Sequence, residues 1–290
     1  MLSRLRRSIK FRSKRLRHKF LDIRQRVFRQ HLRQSGESKH VKLLDALESC
    51  CGSLDGKSVL EIGCDSEGKF LNHVVKTRSV TLAAGVNPAL IADRREAKIQ
   101  LLKLDARKLP FADGSFDVIT SISVFEHVHG LAEVLEEMCR VLKPGGYVYT
   151  EFGPIWSACW GHHLWFYHGG KVVDWRSHPL PPYAHLLMSP KELLAWCHKR
   201  FGDPDLSAKI VSFVFDSKDQ NRLFFSDYEG LVKASSFRIC YLVGIPDVPL
   251  DPVYRTSDSG FLFSQLAKRY SGKHGFGYHV VRWLLQKPLC

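Results

Sequence analysis

The sequence predicts an α/β fold with a mainly parallel sheet covered by helices on both faces. Two observations carry this. Short apolar runs of strand length recur between residues 58 and 151, and most stop at a turn containing glycine, asparagine or aspartate. Stretches with apolar residues at helical spacing lie between several of those runs, the alternation that builds parallel sheets.

The first strand is Ser58 to Gly63, an apolar run interrupted only by Glu61, as suits a strand buried on both faces. The turn Cys64 to Gly68 follows, then a helix over Lys69 to Lys76. Val80 to Val86 is the second strand, and Pro88 predicts a helix over Ala89 to Ala97, because a proline N–H is not needed in a first turn. Lys98 to Leu104 reads as a third strand, Phe116 to Ile122 as a fourth and Gly146 to Glu151 as a fifth. The helix Leu131 to Leu142 joins the last two and is closed by Lys143-Pro-Gly-Gly146.

These residues carry a resemblance. Glu61-x-Gly63, Asp105-Ala106, Leu109-Pro-Phe111, Asp113-x-Ser115-Phe-Asp117, Glu126-His127-Val128 and Leu142-Lys-Pro-Gly-Gly146 occur in this order. Together they resemble the class I, Rossmann-like S-adenosylmethionine (SAM) dependent methyltransferases of the type-11 group, over about a third of the chain. The resemblance implies a three-layer αβα fold, a seven-stranded sheet and SAM as cofactor. It implies close backbone approach at Gly63 and Gly68, with Cys64 and Asp65 in the same turn and Glu61 beneath it. It assigns ribose contacts to Asn87 and the adenine side to Asp105 and Ala106, with Ser121 at the end of the fourth strand. Two departures stand out. Asp65 and Glu67 replace expected glycines, and Asn87 replaces an expected acid, keeping an acceptor without charge.

Methyl transfer to a hydroxyl or acidic carbon needs a base, and His127, beside Glu126, is the first candidate. Residues 153–170 add five large aromatics and His162, His163 and His168 in an irregular, glycine- and proline-bounded stretch. That stretch reads as a substrate flap reaching residue 188, with His162 and His163 as further candidates. No metal site is expected, since Ser123 stands where quinone O-methyltransferases of this type carry a further acid. Ser189-Pro190 starts a helix by capping, Lys209 to Phe215 is expected as the sixth strand, Ser226 to Gly244 as helical, and Gly277 to Leu285 as the closing strand. The domain division is therefore a tail over 1–36 and a methyltransferase domain over 37–290. The latter has its core at 57–152, the flap at 153–188 and an insertion at about 217–275. In this family the helix after Ser38 covers one side of the cofactor pocket.

The net charge of +14 is local: residues 1–34 hold 13 Lys or Arg against Asp22, leaving the remainder near neutral. An apolar stripe of Leu2, Leu5, Ile9, Leu16, Phe20, Ile23 and Val27 makes this segment a basic amphipathic helix. It suits an anionic membrane surface, a nucleic-acid backbone, a solvated tail or an organelle transit peptide. The near-neutral body argues against nucleic acid. Eight cysteines without C-x-x-C spacing point to free thiols in a reducing compartment such as the cytoplasm, and no apolar run is long enough to span a membrane. The expected function is methylation of a small-molecule or carrier-linked substrate, a sugar, glycan or polyprenyl-type acceptor. The rivals are a non-catalytic scaffold on the same fold and an RNA methyltransferase. Oligomeric state is not legible.

Overall fold

The computed structural model describes residues 39–177, 179–246 and 259–289. The basic segment and its expected cap at 34–38 lie outside the described residues, as does the proline-rich connection from 247 on. The chain divides into two units, 1–53 and 54–290. In the first, α1 (Lys39–Cys51) is an amphipathic helix with Leu44, Ala46 and Leu47 buried.

The second unit is built on an eight-stranded sheet. Its strands are β1 (Ser58–Ile62), β2 (Leu82–Val86), β3 (Arg94–Glu96), β4 (Ile99–Leu102), β5 (Phe116–Ile122), β6 (Leu142–Phe152), β9 (Arg238–Ile245) and β10 (Val280–Gln286), in spatial order β3-β4-β2-β1-β5-β6-β10-β9. The five strands from β4 to β6 pair in parallel; β3, β10 and β9 are antiparallel to their neighbours. The sheet is therefore mainly parallel with one strand more than the seven expected. The helices α2 (Lys69–Thr77) and α3 (Leu131–Val141) each bury one apolar stripe, Phe70, Leu71 and Val74 in the first and Leu131, Val134, Leu135, Met138 and Val141 in the second.

Several expected elements come out differently. No helix follows Pro88, because Asn87 Oδ1 accepts the Ala89 N–H at 2.8 Å and bends the chain into a turn. The segment then returns as β3, paired with β4. Residues 209–215 are helical, not a strand: Asp203 accepts from the Leu206 N–H and Pro204 sits in the first turn, so the chain enters α6 (Pro204–Asp216) already capped. The expected long helix over 226–244 is short, α7 (Phe225–Ala234), and gives way to β9, whose continuous apolar run has no helical period. The insertion thus supplies a strand of the main sheet. The Ser189 capping box forms as expected and opens α5 (Pro190–Phe201).

Residues 153–188 are more regular than a loose flap. They hold the hairpin β7 (Trp165–His168) and β8 (Lys171–Asp174) and the short helix α4 (Ala184–Leu187). Trp160, Leu164, Trp175 and Leu180 join Leu193, Ile210 and Leu266 in a second apolar core, between this region, α5, α6 and α8 (Ser259–Arg269). Burying that many large side chains explains why a glycine-rich stretch takes one conformation.

Candidate active site at the carboxyl ends of β1, β2, β4 and β5

The turn after β1 is shaped by three glycines. Gly63 has φ +79, and a side chain there would collide with Val124, whose Cγ2 lies 2.2 Å from where a Cβ would stand. Gly85 leaves room for the Cys64 thiol, 2.7 Å from the corresponding point. Gly68, at φ +61, opens α2. Two of these glycines therefore sit in a backbone region that costs other residues about 1–2 kcal/mol.

The polar side chains of this wall are turned largely onto the protein itself. Asp65 accepts from the Glu67 and Lys69 N–H groups and thereby caps α2. Asn87 donates to the Cys64 carbonyl at 2.9 Å while its Oδ1 serves the turn. Asp105 grips Arg107 through the guanidinium, which with the Arg107 N–H holds its carboxyl below the ordinary range. The Cys64 side chain is fully buried and burial pushes its thiol up to about 12, so only its backbone can face a ligand. Ser121, expected at the cofactor, is buried and donates to the Ile62 carbonyl at 3.0 Å, tying β5 to β1. Ala106 is buried in the core beneath.

SAM fits this wall on two counts. Glu61 keeps a buried carboxylate oxygen without a partner, and burial with the nearby Asp65 pushes its carboxyl up to about 8. Such a group is suited to a bound cation. Asn87 Oδ1 retains a lone pair for a hydroxyl, as does a carboxylate that serves only a surface arginine. Glu61, Gly63, Gly68, Asn87 and Asp105 are the residues of this wall that would hold the cofactor.

The opposite wall is the turn after β5. Val124, against Gly63, accepts the His127 N–H at 2.8 Å, so this turn is fixed directly to the first. Glu126 does not orient His127. It is buried, its Oε1 accepts the Gly153 N–H at 3.0 Å, and burial pushes it up to about 7. The orienting group is Asp219, whose backbone carbonyl lies 2.7 Å from His127 Nδ1. The loop after α6 wraps the whole turn: Asn221 donates to the carbonyls of Phe125 and Val128 and its N–H to that of Glu126, and Lys218 O meets His129 Nε2 at 2.9 Å. Sequence reading missed this strap. Its partners are about ninety residues away, and only the local cluster Asp216 to Asn221 marks it as a loop.

The three flap histidines part company. His163 stacks on His127 with ring centroids 5.0 Å apart and 26° between planes. It holds φ +50, uncommon for a non-glycine residue, and burial next to His127 keeps its imidazole neutral, down to about 3. His162 is buried, with Nδ1 accepting from the Leu164 N–H. His168 pairs with Asp203 at 2.8 Å and fastens the hairpin to the start of α6. One ring nitrogen each of His127 and His163 and a carboxylate oxygen of Asp219 come within 4.8 Å of one another.

Residues 60–150 match the family model described as a methyltransferase domain. A probable phthiotriol/phenolphthiotriol dimycocerosates methyltransferase of Mycobacterium ulcerans is 35% identical over 108 residues, 35% of this chain and 42% of that protein. A demethylmenaquinone methyltransferase of Bacillus velezensis is 32% identical over 103 residues, 36% of this chain and 42% of that one. The alignments thus span less than half the length of these curated relatives. A solved SAM-dependent methyltransferase from Mesorhizobium loti is 15% identical over 83% of this chain and 96% of that chain, with a TM-score of 0.46. The segment 60–150, with its glycine turn, its Glu126-His127 turn and its parallel sheet, is thus similar to the methyltransferase domain family.

Proposed function

We propose that the chain transfers a methyl group from SAM to an oxygen-bearing, largely apolar small molecule, of the lipid or quinone kind. The observation that carries this is the junction of the two walls, where Val124 fills the space at Gly63 and accepts from the N–H of His127. It ties a proton acceptor to the cofactor turn. Bound SAM would supply the electrophilic methyl; the chain's own task is to hold the acceptor in line and take its proton. The names of two relatives, a phthiotriol lipid enzyme and a demethylmenaquinone enzyme, support an apolar acceptor. So do Trp165, Tyr167 and Val172, exposed on the hairpin β7–β8. Carrier-linked sugars and polyprenyl molecules remain within this class.

Calorimetric titration with SAM and with S-adenosylhomocysteine tests the reading. Micromolar binding of both, lost in Gly63→Arg, supports it. No binding by a folded protein sinks it and puts the scaffold reading first. The basic segment 1–34 extends the proposal to an anionic membrane surface, where each Lys or Arg contributes about 1 kcal/mol. Deleting it should abolish co-sedimentation with phosphatidylserine vesicles; unchanged partitioning removes that part, and salt-sensitive RNA binding would favour the nucleic-acid reading.

A further inference from the structure

The hydrogen-bond partners of His127 and His163 fix which nitrogen of each ring carries the proton. The Asp219 carbonyl, 2.7 Å from His127 Nδ1, can only accept. Nδ1 therefore bears the hydrogen, and Nε2 of neutral His127 presents a lone pair. For His163 the partner is Gln220, whose Nε2 lies 2.6 Å from Nδ1. The same amide nitrogen lies 3.0 Å from the Pro154 carbonyl, which again can only accept. Turning the amide over would set two oxygens against each other. Gln220 Nε2 therefore donates both hydrogens, Nδ1 of His163 accepts, and Nε2 of His163 carries an N–H. The stacked rings are thus in opposite tautomers.

On their Nε2 sides, His127 offers a lone pair and His163 a donor. A divalent metal bound through both Nε2 atoms would need a lone pair from each. A substrate with two adjacent oxygen functions needs one of each.

Resting on the methyltransferase reading above, we propose that His127 and His163 form an acceptor–donor pair for a substrate carrying two oxygens on neighbouring carbons. A hydroxyl gives its proton to His127 Nε2, while a carbonyl or second hydroxyl oxygen accepts from His163 Nε2–H. Catechols, hydroxyquinones and vicinal hydroxyketones have this pattern. In the transfer step the hydroxyl O–H bond breaks, its proton passes to His127, and the new bond runs from that oxygen to the methyl carbon. The carbon–sulfur bond of the sulfonium breaks with its electron pair left on sulfur, and His127 then returns the proton to solvent. Gln220 is a positioning residue, acting through the tautomer of His163.

The test uses the full chain labelled with ¹⁵N-histidine, read by two-bond ¹H–¹⁵N correlation. Opposite tautomers for His127 and His163 are expected; the same tautomer in both overturns the proposal. Catechol, titrated as the probe, should move the Nε2 signals of both rings, whereas phenol should leave that of His163 in place. Equal response of His163 to both probes overturns the two-oxygen reading. Gln220→Glu should invert His163, because a carboxylate can only accept, and weaken catechol by about tenfold. Unchanged catechol affinity with an inverted tautomer counts against the pair; if this buried variant does not fold, the wild-type spectra and His163→Phe still decide. Tight zinc binding by the wild type, with loss of the His163 Nε2 proton, also overturns the proposal. SAM calorimetry on the same sample separates the two claims: opposite tautomers and catechol binding without SAM binding would remove the cofactor and leave the pair.

Discussion

The two walls of the site spend their polar groups differently. On the cofactor wall, Asp65, Asn87 and Asp105 bond chiefly to their own turns, and recognition would fall to the backbone around Gly63 and Gly68, to half-buried Glu61 and to the spare lone pairs of Asn87 and Asp105. On the acceptor wall the fastening is done by a distant strap, which leaves a ring nitrogen of His127 and one of His163 outside those bonds. A ligand common to a whole family can be read by chain shape. A particular acceptor needs side chains whose protons are set in advance.

The largest effect expected from breaking this contrast is on the acceptor wall. His127→Asn should lower kcat about 10²–10⁴-fold with SAM affinity kept. Equal loss of SAM binding would show that the walls are not separable. Next, Gly63→Ala should cost about 2–4 kcal/mol in denaturant unfolding, from the positive φ and the collision with Val124. Adding Val124→Ala should recover part of it; no recovery would mean that the backbone alone sets the cost.

A separate effect concerns pH. Glu61 is raised to about 8 from 4.5, so the folded state holds a proton that the unfolded chain gives up first. Its contribution is complete below pH 4.5 and falls as pH rises towards 8, at up to about 1.4 kcal/mol per unit. Urea midpoints of Glu61→Gln should lack that slope between pH 5 and 8; an unchanged slope would assign it to Glu126, which is raised in the same direction. The smallest effect is expected from Arg107→Ala. It frees Asp105 at an exposed pair, so SAM affinity should change by no more than about threefold. A larger change would make Asp105 a principal adenine contact after all.

What could be read from the chain follows where each residue's partners lie. β1, β5 and α3 were legible because burial on both faces, or on one stripe, writes itself into runs of 5, 7 and 11 consecutive residues. The helix expected after Pro88 failed on a single side chain, Asn87, bonding two residues ahead. The helix at 209–215 did carry its signal, Asp203-Pro204, but the apolar run Ile210 to Phe215 looked equally like a strand. At the site, His127 and His163 were found as residue types. His127 was also read as the candidate base, but its orienting group and the donor role proposed for His163 were not, because Asp219 and Gln220 arrive from a loop 92 and 57 positions away. The expected Ser121 contact failed for the opposite reason: its hydroxyl is consumed inside the sheet.

The strand β10 lies between β6 and β9, with Arg282 paired to Glu151 at the end of β6. During synthesis, therefore, β6 emerges at Phe152 with an open edge that is covered only when residue 280 has been made. At ordinary elongation rates that interval lasts roughly ten seconds. For that time the half-built sheet presents a row of unpaired backbone groups beside apolar side chains, the kind of surface that neighbouring nascent chains add to. The order of the strands thus makes the newborn chain, more than the finished one, the form open to such pairing.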